Sequence, residues 1–139
     1  MVSDFVMTQT DLQVNTEKDD SIGMGSYPID SHNIQRIVTK DGFVQNEGEI
    51  LENVKPYQIP YRCIVPKASE TSNLIVTICV SASHIAYSSL RMEPQYMVMG
   101  QAAGIAADLA IKHNCDVQNI DVKSLQTLLK SKGAVLSVF

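Results

Sequence analysis

Apolar positions along this chain change their spacing several times, and each change predicts a different element. Residues 3–14, SDFVMTQTDLQV, crowd β-branched and aromatic side chains into a few positions and predict a strand. Residues 15–30, NTEKDDSIGMGSYPID, are polar and then rich in Gly, Ser and Pro, the composition of a loop. From 33 to 49, NIQRIVTKDGFVQNEGE, apolar residues alternate on either side of Asp41-Gly42. Both turn residues tolerate positive φ, so the pattern predicts a hairpin with strands over 33–40 and 43–46. VKPYQIPYRCIVPK, residues 54–67, carries three prolines, which rule out a regular helix or a central strand. Extended chain is expected there, with a short strand at 61–65.

Residues 74–80, LIVTICV, form a continuous apolar run that predicts a strand buried on both faces, as in a parallel sheet flanked by helices. SASHIAYSSLR, residues 81–91, reads as a loop leading into a helix over 93–112. Pro94 suits the first helical turn, where its missing N–H costs nothing, and Glu93 faces the positive end of the helix dipole. Asn114 closes this helix; Asp121 caps a shorter one over 122–130 that ends at Gly133. The expected fold is therefore a mixed α+β or α/β fragment. It combines a hairpin region, one buried strand–loop–long helix unit and a short final helix. One such unit is not a complete doubly wound sheet, because its parallel neighbours are missing.

Composition narrows the classes. The chain's 139 residues can hold one core. A net charge of -4, with no Lys/Arg cluster, argues against nucleic acid as a partner. No apolar run approaches the roughly 20 residues of a membrane span, and MVSDFVMTQTDLQ lacks the basic start and apolar middle of a signal peptide. Cys63, Cys79 and Cys115 are odd in number and far apart, so buried free thiols are expected and no disulfide framework or zinc site.

The chemistry gathers around the long helix. Gly100, Ala103, Gly104 and Ala107 leave one helix face so small that another element can lie close, with helix–sheet packing the plain reading. In front of it, a Ser-rich loop and Arg91 meet the helix-start N–H groups, a pattern that suits an anion or a polar heterocycle. His32 and His84 fall in predicted loops without partners at metal-ligand spacing, so no metal is expected. Each is either a satisfied histidine or a proton carrier; Arg91 either pairs with an acid such as Glu93 or holds a carboxylate, phosphate or polarised carbonyl. Gly23-Met24-Gly25 is not a dinucleotide fingerprint: the third glycine would fall on Pro28, and no predicted helix follows.

Read in order, SIGMGSYPIDSHN, PYQIPYRCIVPK, NLIVTICVSASHIAYSSLRMEPQYMVMGQAAGIAADLAI and VQNIDVKSLQTLLKSKGAVL resemble the C-terminal part of a family of FAD-dependent oxidoreductases. Many bacterial members carry the label xanthan lyase, which their flavin fold does not obviously support. The resemblance implies a glutathione-reductase-like FAD-binding fold, with residues 1–72 as a substrate-side β-rich segment and 73–139 as the end of the FAD domain. It implies that Arg91, Met92, Glu93, Pro94 and Gln95 lie against the isoalloxazine ring of FAD. It also implies that His32, with Tyr61 or Arg62, faces the flavin, and that His32, His84 and Arg91 serve a small organic substrate in binding or proton transfer. Relatives often read AGR where this chain has Thr77-Ile78-Cys79, so a contact made by that arginine is lost. Without a GxGxxG unit the 139 residues are expected to be one part of an enzyme, inactive alone and weak in FAD binding. The rival expectation is a free-standing binding module that dimerises through the apolar face of 74–80 and the Gly100/Gly104 stripe.

Overall fold

The computed structural model describes residues 1–14 and 16–138; Asn15, at the start of the stretch read as a loop, and Phe139 lie outside the described residues. The chain opens with a short helix, α1 (Gln9–Gln13), where the sequence pattern suggests a strand. A local hydrogen-bond set decides this: the Asp11 carboxylate accepts from the Thr8 backbone N–H at 2.8 Å and from the Thr8 hydroxyl at 2.9 Å. That is half of a capping box, and it starts a helix whose Leu12 is buried. Only Met7 keeps strand character, bridging Ala82 in parallel.

Two antiparallel pairs follow. Strand β1 (Ser21–Gly25) pairs with β4 (Tyr57–Pro60), Gly23 opposite Ile59 and Gly25 opposite Tyr57. Both were missed as strands: 15–30 reads as a loop by composition, and the strand expected at 61–65 is a 3₁₀ turn, Tyr61–Cys63. Burial explains the difference, since all four residues of β4 are buried and prolines can end a strand that a partner covers. Strands β2 (Ile29–Val38) and β3 (Val44–Glu52) form the predicted hairpin, longer than expected, around Gly42 at φ 83°. A bulge with Asn33 at φ 59° separates a buried base, Ile29 and Ser31, from an exposed arm.

The largest correction concerns residues 74–80. They form no strand, and Leu74 and Ile78 are 47% and 55% exposed. A parallel strand needs neighbours to bond; here Val76 N–H reaches Ile64 O and Ser81 N–H reaches Cys63 O, both beside a 3₁₀ turn that cannot extend a ladder. The expected buried strand–loop–helix unit is therefore not present in that form. The stretch 81–91, expected as a loop, contains α2 (His84–Leu90), whose cap Ser83 accepts from Ala86 N–H at 3.2 Å. Ser83 is an N-cap residue and not a loop signal, which is why composition misleads. Cys63 is buried as expected, but Cys79 is exposed and Cys115 half-buried.

The long helix α3 (Glu93–His113) runs close to expectation and ends with Asn114 in the left-handed region at φ 49°. It packs on β1 and on α4 (Val122–Ser131) through Met99, Ala102, Ala106 and Leu109. The Gly100/Gly104 face is on the outside, and a Cβ at either glycine would meet nothing within 4 Å. Close helix–sheet packing is thus carried by the alanine face and not by the glycine stripe. Among the described residues no helix is long and apolar enough to cross a membrane.

Asp121 caps α4 as predicted, accepting from Lys123 N–H and Ser124 N–H at 3.1 Å and from the Ser124 hydroxyl at 2.6 Å. The Ser124 hydroxyl, foremost, holds this carboxyl below its usual range. A folded-state pKa below the unfolded value of about 3.9 stabilises the fold above that pH, and the contribution fades as pH falls through the folded value. Thermal melts should therefore show wild type above Asp121→Ala at pH 7 and the gap narrowing by pH 3. A gap that stays constant across that range would contradict the carboxylate cap.

Candidate functional site

The site is built where the base of the hairpin meets the corner between α2 and α3. Residues 26–28 form one wall of an open groove of about 440 Å³, and 92–95 form the other. That volume lies at the small end of ordinary ligand sites. The wall at 92–95 is the start of α3. Met92 precedes it with extended backbone and offers no side-chain cap, and Pro94 has no N–H. The first-turn N–H groups of Glu93 and Gln95 therefore have no acceptor in a preceding helical turn. Gln95 is 6% exposed, and its Oε1 is enclosed without a hydrogen-bond partner.

The opposite wall is fixed from below. Burial pushes the Tyr57 hydroxyl up to about 12, so it stays protonated. It lies 2.6 Å from Ser89 Oγ, and Ser89 in turn donates to the backbone carbonyl of Tyr27. Since the Ser89 proton is committed to Tyr27, Tyr57 is the donor in this relay, and the Tyr27 backbone is pinned to α2.

Asp30 ties the groove to the predicted site residues. The Tyr27 hydroxyl donates to Asp30 Oδ2 at 3.3 Å, and Arg91 Nη2 donates to the Asp30 backbone carbonyl at 3.1 Å. His32 Nε2 lies 3.0 Å from Asp30 Oδ1, and its Nδ1 lies 3.3 Å from Glu49 Oε1. One residue on, Ser31 Oγ lies 3.0 Å from His84 Nε2. His32 sits within β2 and His84 at the first turn of α2, not in the loops expected for them. The hairpin base nonetheless brings His32, His84 and Arg91 onto one short stretch, residues 30–32.

Met92, Glu93, Pro94 and Gln95 line the groove as a group, while Arg91 reaches away from it to Asp30. The Arg91–Glu93 pair, one of the two alternatives the sequence left open for Arg91, is not formed among the described residues. Tyr61 and Arg62 do not join the cluster. Tyr61 is buried and donates to Val117 O at 2.8 Å, and Arg62 lies 4.6 Å from the Phe5 ring centroid and 3.6 Å from both Asp19 and Asp20. Sequence reasoning missed Tyr27, Asp30, Ser31 and Ser89. The signal was the polar crowding of SYPIDSHN around one proline, but no spacing rule links it to a helix some sixty residues later.

These parts leave room for a flat group between the Tyr27–Pro28 wall and the start of α3. Acid–base side chains stand beside it. In a mixed α+β chain this places a small open groove next to a cluster of titratable and hydroxyl side chains. The family model for FAD dependent oxidoreductases matches residues 1–129, and the chain belongs to that family. No significant match was found among curated proteins or solved structures. The groove fits the ring of the family's cofactor only in having a helix start without a side-chain cap along one wall.

Proposed function

We propose that this chain is the C-terminal part of an FAD-dependent oxidoreductase and supplies one wall of its flavin site. The observation that carries the reading is the groove at 26–28 and 92–95, with an uncapped helix start on one side and the Asp30 cluster beside it. The pyrophosphate end of the dinucleotide would be held by residues beyond these, because no GxGxxG unit occurs here. When bound, the flavin supplies hydride chemistry toward a small organic substrate.

The chain's own residues position and protonate. The N–H groups of Glu93 and Gln95, with the positive end of the α3 dipole, stabilise negative charge on whatever ring edge they meet. His84, hydrogen-bonded to Ser31, and His32, bridging Asp30 and Glu49, are placed to move protons at the substrate side. Arg91 holds the α2–α3 corner on the hairpin through Asp30 O and has donors left over for a polar substrate group. Oxidoreduction, and not polysaccharide cleavage, is the chemistry this arrangement favours.

A visible absorption titration with FAD tests the reading. The expected result is a weak, saturable shift of the flavin band, with a Kd of roughly 0.1–1 mM, as befits part of a site. Arg91→Ala, which frees the α2–α3 corner, should weaken it several-fold. No shift up to millimolar FAD would overturn the flavin wall. Stoichiometric FAD carried through purification would overturn the incomplete-site reading.

A second reading draws on the exposed apolar residues Met97 and Ile111 on α3, 73% and 80% exposed, together with Leu74 and Ile78. It makes the chain a binding module that associates with itself through this surface. Sedimentation decides: a monomer at high micromolar concentration sinks it.

A further inference from the structure

We infer that Ser31 holds His84 with its ring proton on Nδ1, and that this N–H and the Arg91 guanidinium together grip a carboxylate of the substrate. The inference rests on the oxidoreductase reading above. It deepens that reading by naming the residue that sets the His84 proton and the substrate group the pair accepts.

Three observations carry it. Ser31 is 6% exposed in β2, and its Oγ lies 3.0 Å from His84 Nε2, its sole side-chain partner among the described residues. A buried hydroxyl gives its proton to an acceptor, and Nε2 is the one in reach. When the imidazole is neutral, Nε2 is therefore the bare nitrogen and the ring proton sits on Nδ1. When it is charged, both nitrogens carry protons and Nε2 donates to Ser31 instead. In either state Nδ1 presents an N–H, on a side chain that is exposed and has no second partner among the described residues.

Second, two distant side chains converge. His84 opens α2 and Arg91 is its C-cap, a separation of about 10 Å along a helix axis with both on one face. They nonetheless land on consecutive residues of β2, His84 on Ser31 Oγ and Arg91 Nη2 on the Asp30 carbonyl at 3.1 Å. Third, the acids nearby are engaged. Asp30 Oδ2 accepts from the Tyr27 hydroxyl, and His32 stands 3.0 Å from Asp30 Oδ1 and 3.3 Å from Glu49 Oε1. Arg91 forms no ion pair among the described residues, and its one bond to a carbonyl leaves most of its N–H donors free.

Together these select the chemistry of the ligand. Nδ1–H and the guanidinium are donors only, so an amine finds no acceptor and is repelled by Arg91. A neutral amide brings a single oxygen and no charge. A carboxylate brings two oxygens, one for each donor, and the charge that answers Arg91. Phosphate offers the same oxygens, so the test separates the two.

The test is NMR on the isotope-labelled chain without flavin. Long-range proton–nitrogen spectra of His84 are recorded on wild type, Ser31→Ala and Ser31→Thr, followed by titrations with acetate, acetamide and inorganic phosphate. Above neutral pH, wild type and Ser31→Thr should show Nε2 bare and Nδ1 protonated, and Ser31→Ala a mixture of the two tautomers. Acetate should move the His84 and Arg91 side-chain signals and saturate with a Kd on the order of 10 mM, several-fold tighter than acetamide. Ser31→Ala should weaken acetate by about two- to fivefold, because only the competent tautomer binds, and Arg91→Gln should abolish the response. A protonated Nε2 in neutral wild-type His84 overturns the role of Ser31. No shift with acetate, or acetamide binding as tightly, overturns the carboxylate; phosphate binding more tightly overturns it in favour of a phosphate group. If Ser31→Ala does not fold, the wild-type spectrum and the acetate series still decide. Since flavin takes no part, failure here leaves the flavin wall standing, and a failed FAD titration leaves the tautomer and the acetate response to be read directly.

Discussion

Leu90→Ala is expected to destabilise the chain by about 2–5 kcal/mol, the range for emptying a fully buried leucine site. Leu90 is 0% exposed at the end of α2, a helix that packs on β2 and α1. The size of the effect separates two pictures of residues 81–91. Were they a surface loop, as their serines suggest, the same truncation would cost about 0.5 kcal/mol or less. A urea melt suffices, since the midpoint shifts in proportion to the lost stability. The change also reaches the site, because α2 carries His84 at one end and Ser89 next to Leu90. A loosened α2 should weaken the flavin binding proposed above even though Leu90 does not line the groove.

Gly23→Ala is expected to cost about 1–3 kcal/mol through overpacking. A Cβ at Gly23 would stand 2.1 Å from Val98 Cγ1. Val98 lies on α3 and is β-branched, so its χ1 has little freedom to turn away in a helix. Relief must therefore come from sliding α3 off β1. Gly100→Ala makes the control. Its Cβ would meet nothing within 4 Å, and alanine in a helix interior is favoured over glycine by about 0.5–1 kcal/mol, so this variant should be more stable than wild type. Paired melts check both signs. If Gly23→Ala were neutral, β1 and α3 would not be in the contact described. The pair also settles which glycines matter: the Gly-Met-Gly that resembles a nucleotide loop is a packing device, and the GxxxG that resembles one is open to solvent.

Much of the secondary structure was legible because it is set locally. The Asp41-Gly42 turn, the Pro94 and Asn114 boundaries of α3 and the Asp121 cap of α4 each rest on conformational preferences of a few adjacent residues. The misreadings have the opposite character. Residues 74–80 carry a buried strand's composition, but a strand exists only if neighbours complete its ladder, and Ile64 and Cys63 offer single bonds instead. Ser21–Gly25 carries a loop's composition, yet β4 pairs with it and α3 covers it.

The candidate site divides in the same way. By itself, the sequence determined the helix start at 92–95, the presence of His32, His84 and Arg91, and the family resemblance, since these depend on residue types and their local order. Only the tertiary structure decided that Asp30 joins them, that Ser31 meets His84, that Tyr61 and Arg62 turn elsewhere, and that Gln95 is buried without a partner. The Ser31–His84 and Arg91–Asp30 contacts join residues 53 and 61 positions apart, and their geometry comes from the hairpin base docking on α2, a packing result that no local preference encodes.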